Sequence, residues 1–305
     1  MNHLLSLEGF TPGKISSLIR LGKAMKKAPL GHSSKLRGKT LLSIFEKPSF
    51  RTRISFELAM LQLGGHAITI DSQATPMCGK ESIEDTAKVA GRYVDVIMAR
   101  LYSHEKLTKL AQNSQVPVIN GLTDKYHPCQ VLSDLLTITE KKGKLKGLKL
   151  AYFGDADNNV THCLILGCAL MGIDISVACP AGHEPQPGVM EMAKDASAGS
   201  KTEVMRDAAA AAKGADIIYT DSWMSYHVSE SEKEARIKAF APYRVTAGVL
   251  GLAKKDAIFM NCLPAQRGME QTAEVIDGPQ SVVFDQAENR LHMQKAILLY
   301  AMGLA

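Results

Sequence analysis

Short apolar runs alternate with stretches of helical period along most of this chain, the pattern of a parallel α/β architecture. Thr11-Pro12 reads as an N-cap followed by proline at the first helical position, opening a helix towards Leu18, Ile19 and Leu21. Residues 41–45 form a predicted buried strand. From Thr52 the period turns helical, with Ile54, Leu58 and Leu61 on one face and Gly64-Gly65 ending the helix. Residues 67–70, 94–98 and 116–119 are predicted strands of the same sheet. Near residue 135 a helix leads into a Lys/Gly-rich segment, 140–149. A second series follows: strand 148–153, helix 160–171, strand 173–178, helix 205–213, and strands 215–219 and 257–260. Leu291, Lys295, Leu298 and Met302 then have the spacing of one long amphipathic helix. The expected fold is α/β, two doubly wound parallel-sheet domains joined by inter-domain helices, with ligands at the carboxyl ends of the strands.

A length of 305 residues fits two domains with a core each. The longest apolar run, residues 163–173, is too short to cross a bilayer. The first residues lack a basic region followed by an apolar stretch, so a cytoplasmic protein with no membrane association is expected. Net charge is +5, too mild to argue for nucleic acid. Lys141, Lys142, Lys144, Lys146 and Lys149 read as a solvated inter-domain segment. The six cysteines form no CxxC pair and no histidine cluster has zinc-ligand spacing. Reduced thiols without a metal or other cofactor are expected.

Candidate chemistry concentrates first in Glu46-Lys47-Pro48-Ser49-Phe50-Arg51-Thr52-Arg53, between a strand and a helix. Hydroxyls, a guanidinium and free N–H groups at a helix N-terminus make an anion site, and Arg51 can grip a phosphate through two parallel hydrogen bonds. The alternative weighs equally on spacing alone: Ser49 or Thr52 caps the helix while both arginines face solvent.

Ser-x-Arg-Thr-Arg after a strand resembles the carbamoyl-phosphate loop of the aspartate and ornithine carbamoyltransferases. Four further segments match in the same order: His127-Pro128-Cys129-Gln130, Asp221-Ser222-Trp223-Met224-Ser225, Asn261-Cys262-Leu263-Pro264-Ala265 with Arg267-Gly268, and Ala287-Glu288-Asn289-Arg290. Taken alone, His127 is more often a structural histidine, Arg100 a strand-end charge and Cys262 a small buried hydrophobe. Five motifs in register favour function. The resemblance implies that Ser49, Phe50 (through its backbone), Arg51 and Thr52 hold the phosphate of carbamoyl phosphate. Arg100 reaches phosphate and carbamoyl oxygen, and His127, Gln130 and Arg290 contact the carbamoyl group. Cys262 and Leu263 lie beside the reacting atoms. It implies that Asn159, Asp221, Ser225 and Tyr226, with Cys262, bind the amino acid acceptor. Arg100, His127, Cys262 and Arg290 are the catalytic set. A carbamoyl-phosphate-binding domain over 1–135 plus 288–305, an amino-acid-binding domain over 136–287, a cis Leu263-Pro264 bond and a homotrimer or multiple of trimers follow from the same likeness.

Cys262 leans the chain to the ornithine side of that family, giving citrulline and phosphate, in arginine biosynthesis. Four positions depart from the family pattern, and among them the Tyr226-His227 loop bears on the acceptor pocket. Phe50 stands where Thr is usual, Asn261 where His is usual, Tyr226-His227 where Met-Gly follows the serine, and Pro76 where Gln or His is typical. The alternatives are a carbamoyltransferase for lysine, putrescine or N-acylornithine, and a non-catalytic carbamoyl-phosphate sensor. Asp221 speaks against putrescine, which has no α-amine. A dinucleotide-dependent dehydrogenase would need a Gly-rich turn that Gly154-Asp155-Ala156-Asp157-Asn158-Asn159 lacks.

Overall fold

A computed structural model describes residues 2–72, 81–224 and 228–305. The chain divides into two compact units, Met1–Leu136 with Glu288–Ala305, and Thr137–Ala287. The first unit carries α1 (Pro12–Lys27), β1 (Thr40–Phe45), α2 (Phe50–Gln62), β2 (His66–Asp71), α3 (Ile83–Tyr93), β3 (Val96–Arg100), α4 (His104–Asn113), β4 (Val118–Leu122) and the start of α5 (Pro128–Lys142). Its parallel sheet has the order β2-β1-β3-β4. Every residue of β3 is buried, because helices cover a parallel sheet on both faces and its strands therefore read as unbroken apolar runs. The chain winds outward in one direction from β1 and in the other from β3, so the order reverses between them. There Phe45 pairs with Arg100, the last residues of both strands.

The second unit holds β5 (Lys149–Phe153), α6 (Asn159–Met171), β6 (Asp174–Ala178), α7 (Pro187–Ala196), β7 (Thr202–Met205), α8 (Ala208–Ala212), β8 (Ile217–Thr220), α9 (Lys233–Phe240), α10 (Ala247–Gly251), β9 (Ile258–Asn261), α11 (Ala273–Ile276) and the start of α12 (Val283–Ala301). Its order, β7-β6-β5-β8-β9, reverses between β5 and β8, where Phe153 pairs with Thr220. Ligands of open α/β sheets bind outside the carboxyl ends of strands at such reversals. Phe153, Ile218 and Phe259 anchor the core of this unit, and Ile44, Ile97 and Leu107 that of the first.

Several expectations shift. The strand predicted from residue 94 begins at Val96, since the Val94 N–H closes α3 by donating to Ala90 O at 3.1 Å. The helix predicted over 205–213 is shorter, because Met205 ends β7 and Asp207 caps α8 by accepting from Ala209 and Ala210 N–H. α2 buries Phe56, Ala59 and Met60 rather than Ile54, Leu58 and Leu61, which are exposed. α12 is buried nearly all round over residues 292–299 and carries buried Gln294 and Lys295, so it is not simply amphipathic. The lysine segment is only partly solvated: Lys141 pairs with Asp285 at 2.7 Å and Lys142 with Asp256 at 2.7 Å.

Candidate active site

In the first unit the loop after β1 and the first turn of α2 lie at the reversal point. Ser49 takes an extended backbone and its Oγ accepts the Thr52 N–H at 3.2 Å, so the capping half of the sequence reading is realised. Arg53 joins Glu57 one turn on, a surface pair worth little. Thr52 turns inward and is buried; its Oγ1 lies 3.3 Å from Arg290 Nη2. Arg290 Nη1 donates to Gln130 Oε1 at 2.6 Å, and Gln130 Nε2 donates onward to Asp134 at 2.8 Å. Three elements thus meet at one guanidinium: α2, α5 and α12.

His127 directly precedes α5 and is 5% exposed. Burial first, then Arg290, Arg100, Arg51 and Lys47, hold its imidazole well below the usual histidine range. It is neutral near pH 7 and can give or accept one hydrogen bond without adding charge. Arg100, buried, ends β3 beside Phe45. Cys129 is no nucleophile: burial pushes its thiol up to about 12, and its Sγ lies 3.3 Å from Asn120 O. Phe50, the first residue of α2, is exposed, leaving its backbone as the part available to an anion.

Two neighbours received no role from the sequence. Lys47 is fully buried with Nζ 4.5 Å from the Tyr102 ring centroid, and burial, then Arg100, lower it to about 8. Glu46 braces the same loop, accepting the Tyr102 N–H at 2.8 Å and pairing with Lys106. Lys47 stood inside the quoted motif, and its place between Glu46 and Pro48 was the available signal. Asp134, four residues after Gln130 on one helix, was legible from spacing.

In the second unit, Asn158 caps α6: its Oδ1 accepts Val160 and Thr161 N–H at 2.9 Å each, and its Nδ2 donates to Tyr152 OH at 2.9 Å. Asn159, the next residue, opens the helix. Gly154 has φ +123°, and a Cβ there would stand 3.1 Å from Trp223 Nε1, so the turn after β5 and the segment after β8 pack too closely for a side chain. Asp221 follows β8. Its Oδ1 accepts the Ser222 N–H at 2.7 Å and lies 3.0 Å from Cys262 Sγ. Leu263 has φ +58° and its bond to Pro264 is cis. The Asn261 Oδ1 accepts the Leu263 N–H at 2.7 Å, while its Nδ2 donates to Gln271 at 3.1 Å. Asn261 therefore shapes the loop that presents Cys262. Buried Glu270 accepts from Trp223 and Gln266 N–H, and burial raises its carboxyl.

Ser49, Phe50, Arg51, Thr52, Arg100, His127, Gln130 and Arg290 belong to the first unit, and Asn159, Asp221, Cys262 and Leu263 to the second. Ser225, Tyr226, His227 and Pro76 lie outside the described residues. Among the described residues no group of three or more His, Cys, Asp or Glu side chains is placed to hold a metal. A cationic cradle with a neutral histidine suits a doubly charged acyl phosphate whose carbonyl gains charge during reaction.

Comparison with known proteins accounts for nearly all of the chain. Residues 2–140 match the family description "Aspartate/ornithine carbamoyltransferase, carbamoyl-P binding domain", and residues 146–301 match "Aspartate/ornithine carbamoyltransferase, Asp/Orn binding domain". The chain is 50% identical over 301 residues to an ornithine carbamoyltransferase of Methanococcus aeolicus, covering 98% of each. It is 50% identical over 300 residues to that of Bacillus subtilis, covering 97% of this chain and 92% of the other. The solved structure of ornithine carbamoyltransferase from Pyrococcus furiosus superposes with a TM-score of 0.95 at 48% identity, covering 99% of this chain and 97% of that one.

Proposed function

Because the chain belongs to the aspartate/ornithine carbamoyltransferase family, we propose that it transfers the carbamoyl group of carbamoyl phosphate to the δ-amine of L-ornithine, giving L-citrulline and phosphate. The observation that carries this reading is the knot of Arg290, Gln130 and Thr52 beside neutral His127 at the start of α2. Residues 1–135 with 288–305 take carbamoyl phosphate, and 136–287 take the amino acid.

Ser49, Arg51, Thr52 and the free N–H groups of α2, that of Phe50 among them, bind the phosphate dianion. Arg100, His127, Gln130 and Arg290 surround the carbamoyl group. Asp221 pairs with the α-ammonium of ornithine and Asn159 with its α-carboxylate, with Ser225 and Tyr226 assigned to the acceptor by their motif. The δ-ammonium, an alkylamine of pKa near ~10.4, first loses a proton. Cys262 and the carbonyls around Leu263 favour the neutral amine. Its lone pair forms the new C–N bond as the carbonyl electrons move onto oxygen, where the arginines and His127 stabilise them. The C–O bond to phosphate then breaks, phosphate leaves with the electron pair, and the nitrogen sheds its second proton. One proton passes to phosphate and one to solvent, giving citrulline, hydrogen phosphate and a proton.

Relatives named for ornithine over nearly the full chain favour it over lysine, putrescine or N-acylornithine, and over a sensor without turnover. The relative from Pyrococcus furiosus is named "anabolic", which supports placing the reaction in arginine biosynthesis. A homotrimer or a multiple of it completes the reading, supported by the exposed apolar positions of α2. The test is citrulline and phosphate formation from carbamoyl phosphate with ornithine, putrescine, lysine, aspartate and N-acetylornithine in parallel. Turnover with ornithine alone is expected, with KM for carbamoyl phosphate raised about 10²-fold in Arg51→Ala through loss of a bidentate phosphate contact. Preference for another amine, or none, would overturn the acceptor assignment.

A further inference from the structure

We propose that Arg236 is a positioning residue that sets the spacing of the two amino-acid-binding segments by tying one to the other. The inference rests on the acceptor reading above and deepens it. Arg236, on α9, is only 11% exposed in its side chain. Its Nε donates to the carbonyl of Trp223 at 2.8 Å, and its Nη2 bonds the carboxylate of Asp155. Trp223 lies two residues after Asp221, and Asp155 lies in the turn that leads to Asn159. One rigid guanidinium therefore spans the segment that recognises the α-ammonium and the segment that recognises the α-carboxylate.

Both ends of this bridge are fixed further. The Asp155 carbonyl accepts from Tyr152 OH at 2.8 Å and Asn158 Nδ2 at 2.6 Å, so its movement would carry the cap of α6 with it. The Trp223 backbone is held on its other side by Glu270, which accepts its N–H at 3.4 Å. Its indole stacks on Phe240 with centroids 5.8 Å apart, and the Arg236 guanidinium lies 5.0 Å from that Phe240 ring. Arg244 lies 5.8 Å from the Trp223 ring centroid. Asp155 faces Arg236 through one carboxylate oxygen and the His183 ring, whose Nδ1 is 3.5 Å away, through the other. A planar fork can serve the carbonyl and the carboxylate together, whereas the point charge of lysine can serve only one of them well. The bridge touches no substrate atom in this reading, so its loss should weaken acceptor binding and leave carbamoyl phosphate alone.

Trp223 is the only tryptophan of the chain, so its emission reports this segment directly. The experiment compares wild type with Arg236→Lys, Arg236→Gln and Asp155→Asn, measuring KM for each substrate, kcat, and Trp223 emission and quenching by acrylamide. Expected is a rise of about tenfold or more in KM for ornithine in Arg236→Gln, the factor of one hydrogen bond to a charged group. A smaller rise should follow in Arg236→Lys. KM for carbamoyl phosphate should stay within about twofold of wild type, with kcat changed less than KM for ornithine. Trp223 should become more quenchable in all three variants, and combining Arg236→Gln with Asp155→Asn should add little to Arg236→Gln alone, because Arg236→Gln already removes the bond that Asp155→Asn removes. If Arg236→Gln fails to fold, Arg236→Lys and Asp155→Asn carry the same tests. Parallel rises in both KM values, or Trp223 emission and quenching like wild type, overturn the bridge. A wild-type chain without ornithine turnover overturns the reaction itself, and the Trp223 readout still distinguishes that failure from failure of the bridge.

Discussion

Single residues carry the pH behaviour of the candidate site. Burial and four cations keep His127 unprotonated in the folded chain, while the unfolded imidazole titrates near ~6.5. Below that value the unfolded state binds a proton that the folded state refuses, so stability should fall with acid from there down to the folded pKa and stay flat above it. His127→Ala should remove that acid dependence in urea denaturation and lower kcat about 10²-fold through loss of one donor to the carbamoyl oxygen. Lys47 has the same sign in a higher pH window. Its folded value of about 8 lies below the unfolded ~10.4, so the unfolded chain binds more protons between the two and stability should rise with pH across that window. Affinity for carbamoyl phosphate should fall as pH rises through about 8, because the cation is lost, and Lys47→Met should flatten both profiles. The residues that sequence could name are those in short motifs, such as Asp221 and Cys262. Arg236 and Asp155 escaped because they meet across 81 positions of chain, and no local pattern marks a pair of that kind.

At the level of elements, the caps decide where ligand-binding backbone begins. Asn158 accepts two N–H groups of α6 and donates to Tyr152 OH and Asp155 O, all within buried surroundings. Asn158→Ala should cost about 2 kcal/mol, the upper end for a cap, read as a lower urea midpoint with unchanged slope. Asn158→Asp should recover the two accepted bonds but not the two donated ones. Most strands were legible because parallel pairing between covering helices demands continuous apolar runs, as in β3 and β5, whereas the half-buried edge strand β7 has no such run and was not named. Helices were less so. α3 buries only Thr86, Ala87 and Ala90, too sparse a face to name the element from apolar period. α2 carries two apolar faces, and periodicity selected Ile54, Leu58 and Leu61 when small residues let Phe56, Ala59 and Met60 close on the sheet. α12 hides Gln286, Asn289, Arg290 and Lys295 among apolar side chains, and a polar residue in sequence reads as exposed until its partner is known.

For the molecule as a whole, that second face of α2 is the feature with most consequence. Phe50, Ile54, Leu58 and Leu61 recur at one-turn spacing and are 76%, 40%, 38% and 68% exposed, and Ile68 on the edge strand β2 is 45% exposed. Burying each such side chain is worth about 1.5–3 kcal/mol, so a stripe of this size left in water is unfavourable unless another chain covers it. An arrangement of three copies with cyclic symmetry closes such head-to-tail contacts without leaving a free end. Light scattering should therefore give the mass of three chains, or a multiple, for the wild type. Leu58→Glu combined with Leu61→Glu places two carboxylates in that contact and should reduce the mass to that of one chain, while each chain keeps its circular dichroism. A wild type that scatters as a single chain at all concentrations would remove the trimer, and would leave the α2 face to be explained by some other partner.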